Sequence, residues 1–169
     1  FEDSHGVWKH GDWITELSGG GFIVHGRSDA TLNRGGVRLG TAEIYTALAF
    51  IPEVKDSLVF GVERPGGEYY MPLYVELASG YTLNDDLREK IDYEIRTRAS
   101  ARHIPDEILI APGIPVTHAG KKIEIQIRKL FAGIAPEKAI SMGAISNTGT
   151  VDWFIAEAQG FIKSNGTKI

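Results

Sequence analysis

The sequence predicts an α+β fold: one small sheet of about three strands flanked by helices, preceded by a short two-stranded hairpin. Three observations predict it. Two apolar runs, residues 57–62 and 69–77, meet across the turn Pro65-Gly66-Gly67, which is the pattern of paired strands. A polar segment places Leu87, Ile91 and Ile95 four residues apart, on one face of a helix. Extended and helical segments then follow in the order strand, helix, strand, strand, helix, strand, helix.

Taken in order, Phe22-Ile23-Val24 before His25-Gly26 reads as a strand ending in a turn, and Val37-Arg38-Leu39 as a second extended piece. Thr41 is the expected N-cap of a helix through Leu48. Its hydroxyl would satisfy an orphan amide, and Glu43 would suit the helix dipole. Pro52 closes that helix. Asn84 or Asp85 would cap the next one, Ile104-Pro105 ends it, and Glu107-Ile108-Leu109-Ile110 is the third strand. Ile123-Glu124-Ile125-Gln126-Ile127 alternates as a strand does. Beyond Ser141 the chain is small and polar until Val151-Asp152-Trp153-Phe154-Ile155, a short helix.

Composition narrows the function classes. Hydrophobic content of 43% and charged content of 24% are those of an ordinary globular protein. A net charge of −4 argues against broad nucleic-acid binding, which needs a basic face. With no cysteine there is no disulfide framework, thiolate metal site or cysteine nucleophile, which fits a cytoplasmic setting. No apolar run is long enough to span a bilayer. The five histidines show no metal-ligand spacing, so no metal is assigned to the chain itself. It opens on Phe1 and reads as a piece of a longer polypeptide.

Residues 26–45, GRSDATLNRGGVRLGTAEIY, concentrate the chemistry. Arg27, Arg34 and Arg38 surround the pair Gly35-Gly36, a composition suited to an anionic, phosphate-bearing partner and equally common in solvated loops. Far along the chain stands Pro115-Val116-Thr117-His118-Ala119-Gly120-Lys121. With His10-Gly11-Asp12, these segments resemble three signatures of the C-terminal part of adenylate-forming enzymes, the superfamily of acyl-CoA synthetases, luciferases and peptide synthetases. The signatures are G-R-x-D followed by G-x-R and E, then P-x-T-x-x-G-K, and T-G-D with His10 in place of threonine. The resemblance runs in the family's order from about Trp8 to Phe131.

The resemblance implies a mobile catalytic lid. Lys121 would be the catalytic lysine, its ammonium bridging a carboxylate and the α-phosphate of ATP as charge develops there. Spacing from Pro115 and Thr117 selects Lys121 over Lys122, although either would otherwise read as a solvated lysine. Asp12 would accept the ribose hydroxyls, with Arg27 near the same ribose or phosphate. Arg38 would face the nucleotide, Gly35 and Gly36 would line the coenzyme A path, and Arg96 would contact coenzyme A. Asp29 would be the hinge between two catalytic arrangements. The same family places a helix just beyond the lysine, against the alternation noted above. Residues 1–28 would end a large N-terminal domain and approach the hinge, 29–140 would form the lid, and 141–169 a tail extension.

Gly120-Lys121-Lys122-Ile123-Glu124, Trp8-Lys9-His10-Gly11-Asp12 and the tail residues Gly143-Ala144-Ile145-Ser146-Asn147 with Asp152-Trp153-Phe154 resemble the acetoacetate-activating branch. That implies a lid of an acetoacetate–CoA ligase using ATP, coenzyme A and Mg2+ carried with ATP, working against the large N-terminal domain of the same enzyme. The fragment alone would be inactive. Alternatives are a lid for acetate or butyrate, or a non-catalytic binding module on the same fold. Trp153 and Phe154 read as a docking helix without a catalytic role.

Overall fold

A computed structural model describes residues 11–27, 31–64 and 66–165. Two hairpins come first. In one, β1 (Asp12–Glu16) pairs antiparallel with β2 (Phe22–Arg27); in the other, β3 (Leu32–Arg34) pairs with β4 (Val37–Leu39). The two extended pieces legible in the sequence thus belong to different hairpins. Then follow α1 (Thr41–Leu48), β5 (Val54–Val59), β6 (Val62–Glu63), β7 (Tyr69–Tyr70), β8 (Pro72–Leu77), α2 (Asp85–Arg98) and β9 (Glu107–Ile110). The chain continues through α3 (Glu124–Phe131), α4 (Pro136–Ala139) and α5 (Thr148–Asn165).

The central sheet has the order β5-β8-β9, with β5 antiparallel and β9 parallel to β8. A parallel neighbour requires a crossover, and α2 supplies it. Side chains alternate across the sheet, so each strand feeds two cores. Val59, Leu73, Val75 and Ile108 pack with Ile44, Ala47 and Leu48 of α1 and Leu87, Ile91 and Ile95 of α2. Leu58 and Tyr74 point the other way, into Ile127, Leu130 and Phe131 of α3 and Val151, Phe154 and Ala158 of α5. Helices therefore cover both faces of a three-stranded sheet, as predicted.

Several local expectations change. The cap of α1 is Gly40, which makes no side-chain bond, and Thr41 is already helical. Glu43 serves tertiary structure instead, with Oε2 2.6 Å from Nε2 of buried His103. The apolar run 69–77 is two strands. The Met71 amide donates to Asp106 Oδ2 at 2.8 Å and Pro72 has no amide, so the ladder breaks there. The run 57–62 breaks at Gly61, where a Cβ would lie 1.7 Å from Tyr69 Oη. Asn84 caps α2 as expected, accepting from Leu87 N at 2.9 Å. The segment after Lys121 leads into a helix: Ile123 at the cap of α3 and Ile127 within it, four apart, are both buried. The short helix expected at 151–155 is an 18-residue helix, and Phe154 is fully buried in it.

Candidate functional site

The lysine segment folds as a tight hairpin. Val116 and Lys122 form an antiparallel bridge, Thr117 N donates to Lys121 O at 2.8 Å, and Gly120 N donates to Thr117 O at 2.8 Å. Thr117 also accepts from Lys121 N through its hydroxyl at 3.2 Å, so one threonine holds both ends of the turn. Gly120 has φ +74, which a side chain would resist. The threonine and glycine of the motif thus have a structural role, because they shape the turn whose next residue is Lys121.

Adjacent lysines have opposite fates. Lys122 Nζ lies 2.6 Å from Asp56 Oδ1, donates to the Ser57 carbonyl at 2.7 Å, and sits 4.0 Å from the centre of the Tyr45 ring. Tyr45 is fixed in turn, donating to Glu124 Oε1 at 3.1 Å and accepting from Val59 N at 3.2 Å. Burial, helped by Glu124, pushes its hydroxyl well above the ordinary tyrosine range, so it stays a neutral donor. Lys122 is therefore a rivet between the lysine hairpin, β5 and α1. Lys121 is exposed, and its ammonium has no hydrogen-bond or ion-pair partner among the described residues.

The Gly-Gly pair is the two-residue turn of the β3–β4 hairpin. Arg34 pairs with Val37, and Gly35 and Gly36 take φ +60 and +81 between them. Positive φ at both central positions is the tight hairpin turn that glycines favour. Both glycines are exposed, with open space where a Cβ would stand. The arginines divide. Arg34 is committed internally, reaching the Ile104 carbonyl and the Asp106 carboxylate. Arg38, on β4 opposite Asn33, is exposed. Tyr69 ties this hairpin to the rest, its hydroxyl accepting from Asn33 N at 2.9 Å.

Asp12 and Arg27, fifteen residues apart in sequence, are direct cross-strand partners in the β1–β2 hairpin. Arg96 stands exposed on α2 beside Asp92. Desolvation raises the Asp92 carboxyl above its ordinary value, and Arg96 and Arg88 only partly offset this. Asp29 lies outside the described residues.

A polar cavity of about 270 Å³ is lined by residues such as Glu53, Tyr81 and Lys90, and an apolar one of about 120 Å³ lies between α3 and α5. Neither includes a candidate residue. Lys121, Arg38, Gly35, Gly36 and Arg96 all face outward. Among the described residues no group of three or more His, Asp or Glu side chains could hold a metal ion, and no helix is long and apolar enough to cross a membrane.

One functional feature escaped the sequence reading. Residues 144–147 run alongside the extended segment that leads to Lys121. His118 N donates to Ala144 O at 3.1 Å, Ser146 N donates to Val116 O at 3.0 Å, and Thr117 bridges Ile145. The sequence singles out residues 143–147 by resemblance alone and carries no sign of this contact.

No family model matches the chain. Over 164 residues, 95% of its length, the chain is 42% identical to an acetoacetyl-CoA synthetase of Macaca fascicularis, and it spans about a quarter (24%) of that relative's length. A solved acetoacetyl-CoA synthetase from Streptomyces lividans superposes with a TM-score of 0.84 at 46% identity, covering 92% of this chain and 23% of that one. An anthranilate CoA ligase, solved with anthranoyl-AMP, shares the fold alone, with a TM-score of 0.62 at 23% identity over 78% of this chain and 25% of that one.

Proposed function

We propose that this chain, similar along nearly its whole length to acetoacetyl-CoA synthetases, is the C-terminal lid of an ATP-dependent acetoacetate–CoA ligase. In the first half-reaction an oxygen of the acetoacetate carboxylate attacks the α-phosphorus of ATP, and pyrophosphate leaves with its magnesium ion. In the second, the coenzyme A thiol attacks the acyl carbon, loses its proton, and AMP departs. The observation that carries this reading is the contrast between the two lysines. Lys122 is consumed by structure, while Lys121 is displayed at a stiffened turn with its charge unspent.

An unpaired ammonium facing outward is an incomplete site, and that is what a lid would offer to a nucleotide held by another domain. There it stabilises charge growing on the α-phosphate and aligns the incoming carboxylate. Asp12 and Arg27, cross-strand partners in one hairpin, would supply a carboxylate for the ribose hydroxyls and a guanidinium for the ribose or a phosphate. Gly35 and Gly36, the exposed turn of the β3–β4 hairpin, are suited to passing beside coenzyme A in one arrangement, and Arg38 on β4 to facing nucleotide in the other, with Arg96 as a further contact for coenzyme A. Asp29 is the pivot between the arrangements.

The test is the full-length enzyme with Lys121→Ala. ATP–pyrophosphate exchange should fall by at least about 100-fold, as when a charge-stabilising donor is removed. Thioester formation from supplied acetoacetyl-AMP should persist. Exchange at the wild-type rate would overturn the assignment.

A further inference from the structure

We propose that Asn147 is a positioning residue for Lys121, through which the tail sets the place of the lysine hairpin. This rests on the reading of Lys121 above. Asn147 immediately precedes α5, where a cap residue ordinarily gives its side-chain oxygen to the amides of its own helix. Here that oxygen accepts from Val116 N at 3.0 Å, across 31 residues of sequence. The amide nitrogen of the same side chain donates to Ile114 O at 2.8 Å. One side chain thereby satisfies a donor and an acceptor two residues apart on the strand, as a neighbouring peptide unit would.

Ser146 and Ala144 continue the row. Ser146 bonds Val116 O through both its amide and its hydroxyl, at 3.0 and 3.2 Å, and Ala144 O accepts from His118 N. The segment from Ile114 to His118 is consequently clamped on both edges, by the return of its own hairpin and by the tail. The tail edge is anchored: Ile145 is 5% exposed, and Val151 and Phe154 are fully buried. On the hairpin side Lys121 N is held by the Thr117 hydroxyl, so whatever fixes Thr117 fixes the lysine backbone. Displacing a reacting group by about 1 Å can cost on the order of 100-fold in rate, so a brace of this kind bears on catalysis and not only on stability.

The experiment uses the full-length enzyme and three variants. In Asn147→Ala, the kcat of ATP–pyrophosphate exchange should fall about 10–100-fold. KM for ATP and acetoacetate should stay within about twofold, because those sites lie elsewhere, and thioester formation from supplied adenylate should be unchanged. Amide hydrogen exchange at Val116 and His118 should accelerate. Val151→Ala, which loosens α5 from the core without touching the strand, should lower Tm but keep kcat at a temperature where the enzyme stays folded. Wild-type kcat in Asn147→Ala, or an equal loss of kcat in Val151→Ala at matched Tm, would overturn the inference. Lys121→Ala run in parallel separates the two readings. Loss there with full exchange in Asn147→Ala defeats the role of Asn147 alone, whereas full exchange in Lys121→Ala defeats the reading of the lysine and this inference with it.

Discussion

Replacing Phe154 by alanine tests whether α5 is part of the core. The ring is fully buried and lies edge-on to two others, with centroids 5.1 Å from Tyr74 and 5.0 Å from Trp153 and interplanar angles of 71° and 87°. Removing a buried phenylalanine costs about 3–5 kcal/mol, combining lost transfer energy with the cavity left behind. Tyr74 cannot readily fill the gap, because it sits on β8, the central strand of the sheet, with its hydroxyl 3.3 Å from Glu157 Oε1. For a chain of this size each kcal/mol shifts Tm by about 2–4 °C, so the expected loss is about 6–20 °C. Calorimetry or circular dichroism on the 169-residue chain would measure it. Asp152→Ala, at an exposed position of the same helix, is the control and should change stability by less than about 0.5 kcal/mol. A cost below about 1 kcal/mol for Phe154→Ala would refute the argument and make α5 an appendage.

Other outcomes follow from the same geometry. Lys122→Met should cost about 1–3 kcal/mol in urea denaturation, since it strips a charged donor from Asp56 and the Ser57 carbonyl, whereas Lys121→Ala should leave stability within about 0.5 kcal/mol. Equal effects would erase the distinction between the two lysines. Asp92 has a buried, unpartnered oxygen, and its folded-state pKa is raised by desolvation. Its contribution is thus fully present below the ordinary value of 3.8 and lost as pH rises through the folded value, so Asp92→Asn should stabilise the chain at pH 7 and lose that advantage below pH 3.8. A pH series of denaturation curves checks the sign. Asp29→Pro in the full-length enzyme should leave ATP–pyrophosphate exchange intact and collapse overall turnover, because proline fixes φ at the proposed pivot. Equal loss of both would assign Asp29 to folding.

What was legible in the sequence was mostly local. Leu87, Ile91 and Ile95 declared α2, and Asn84 declared its start, because both signals lie within one helix. The alternation at 123–127 misled in isolation, since a pattern of every second residue contains one of every fourth; the buried members are Ile123 and Ile127. The length of α5 was obscured by Gly149 and Gly160, and by buried positions diluted among polar ones. The bracing role of Lys122 was invisible because Tyr45, Asp56 and Ser57 lie more than sixty residues upstream. At the candidate site, the motif spacing chose the lysine that the fold leaves exposed, and the adjacency of Asp12 and Arg27 needed strand register to emerge.

The chain order of these contacts has a consequence for biosynthesis. Domains emerge from the ribosome N-terminus first, and α1, the sheet and α2 can assemble as soon as β9 is out. The face of that sheet with Leu58 and Tyr74, on which α3 packs, must then wait for α5, as must the outer edge of the segment before Lys121. A nascent chain arrested near residue 140 would leave that apolar face half covered beside a half-built lysine hairpin, a substrate for chaperones or proteases. Formation of α5 would therefore close the core and brace the lysine hairpin in one event.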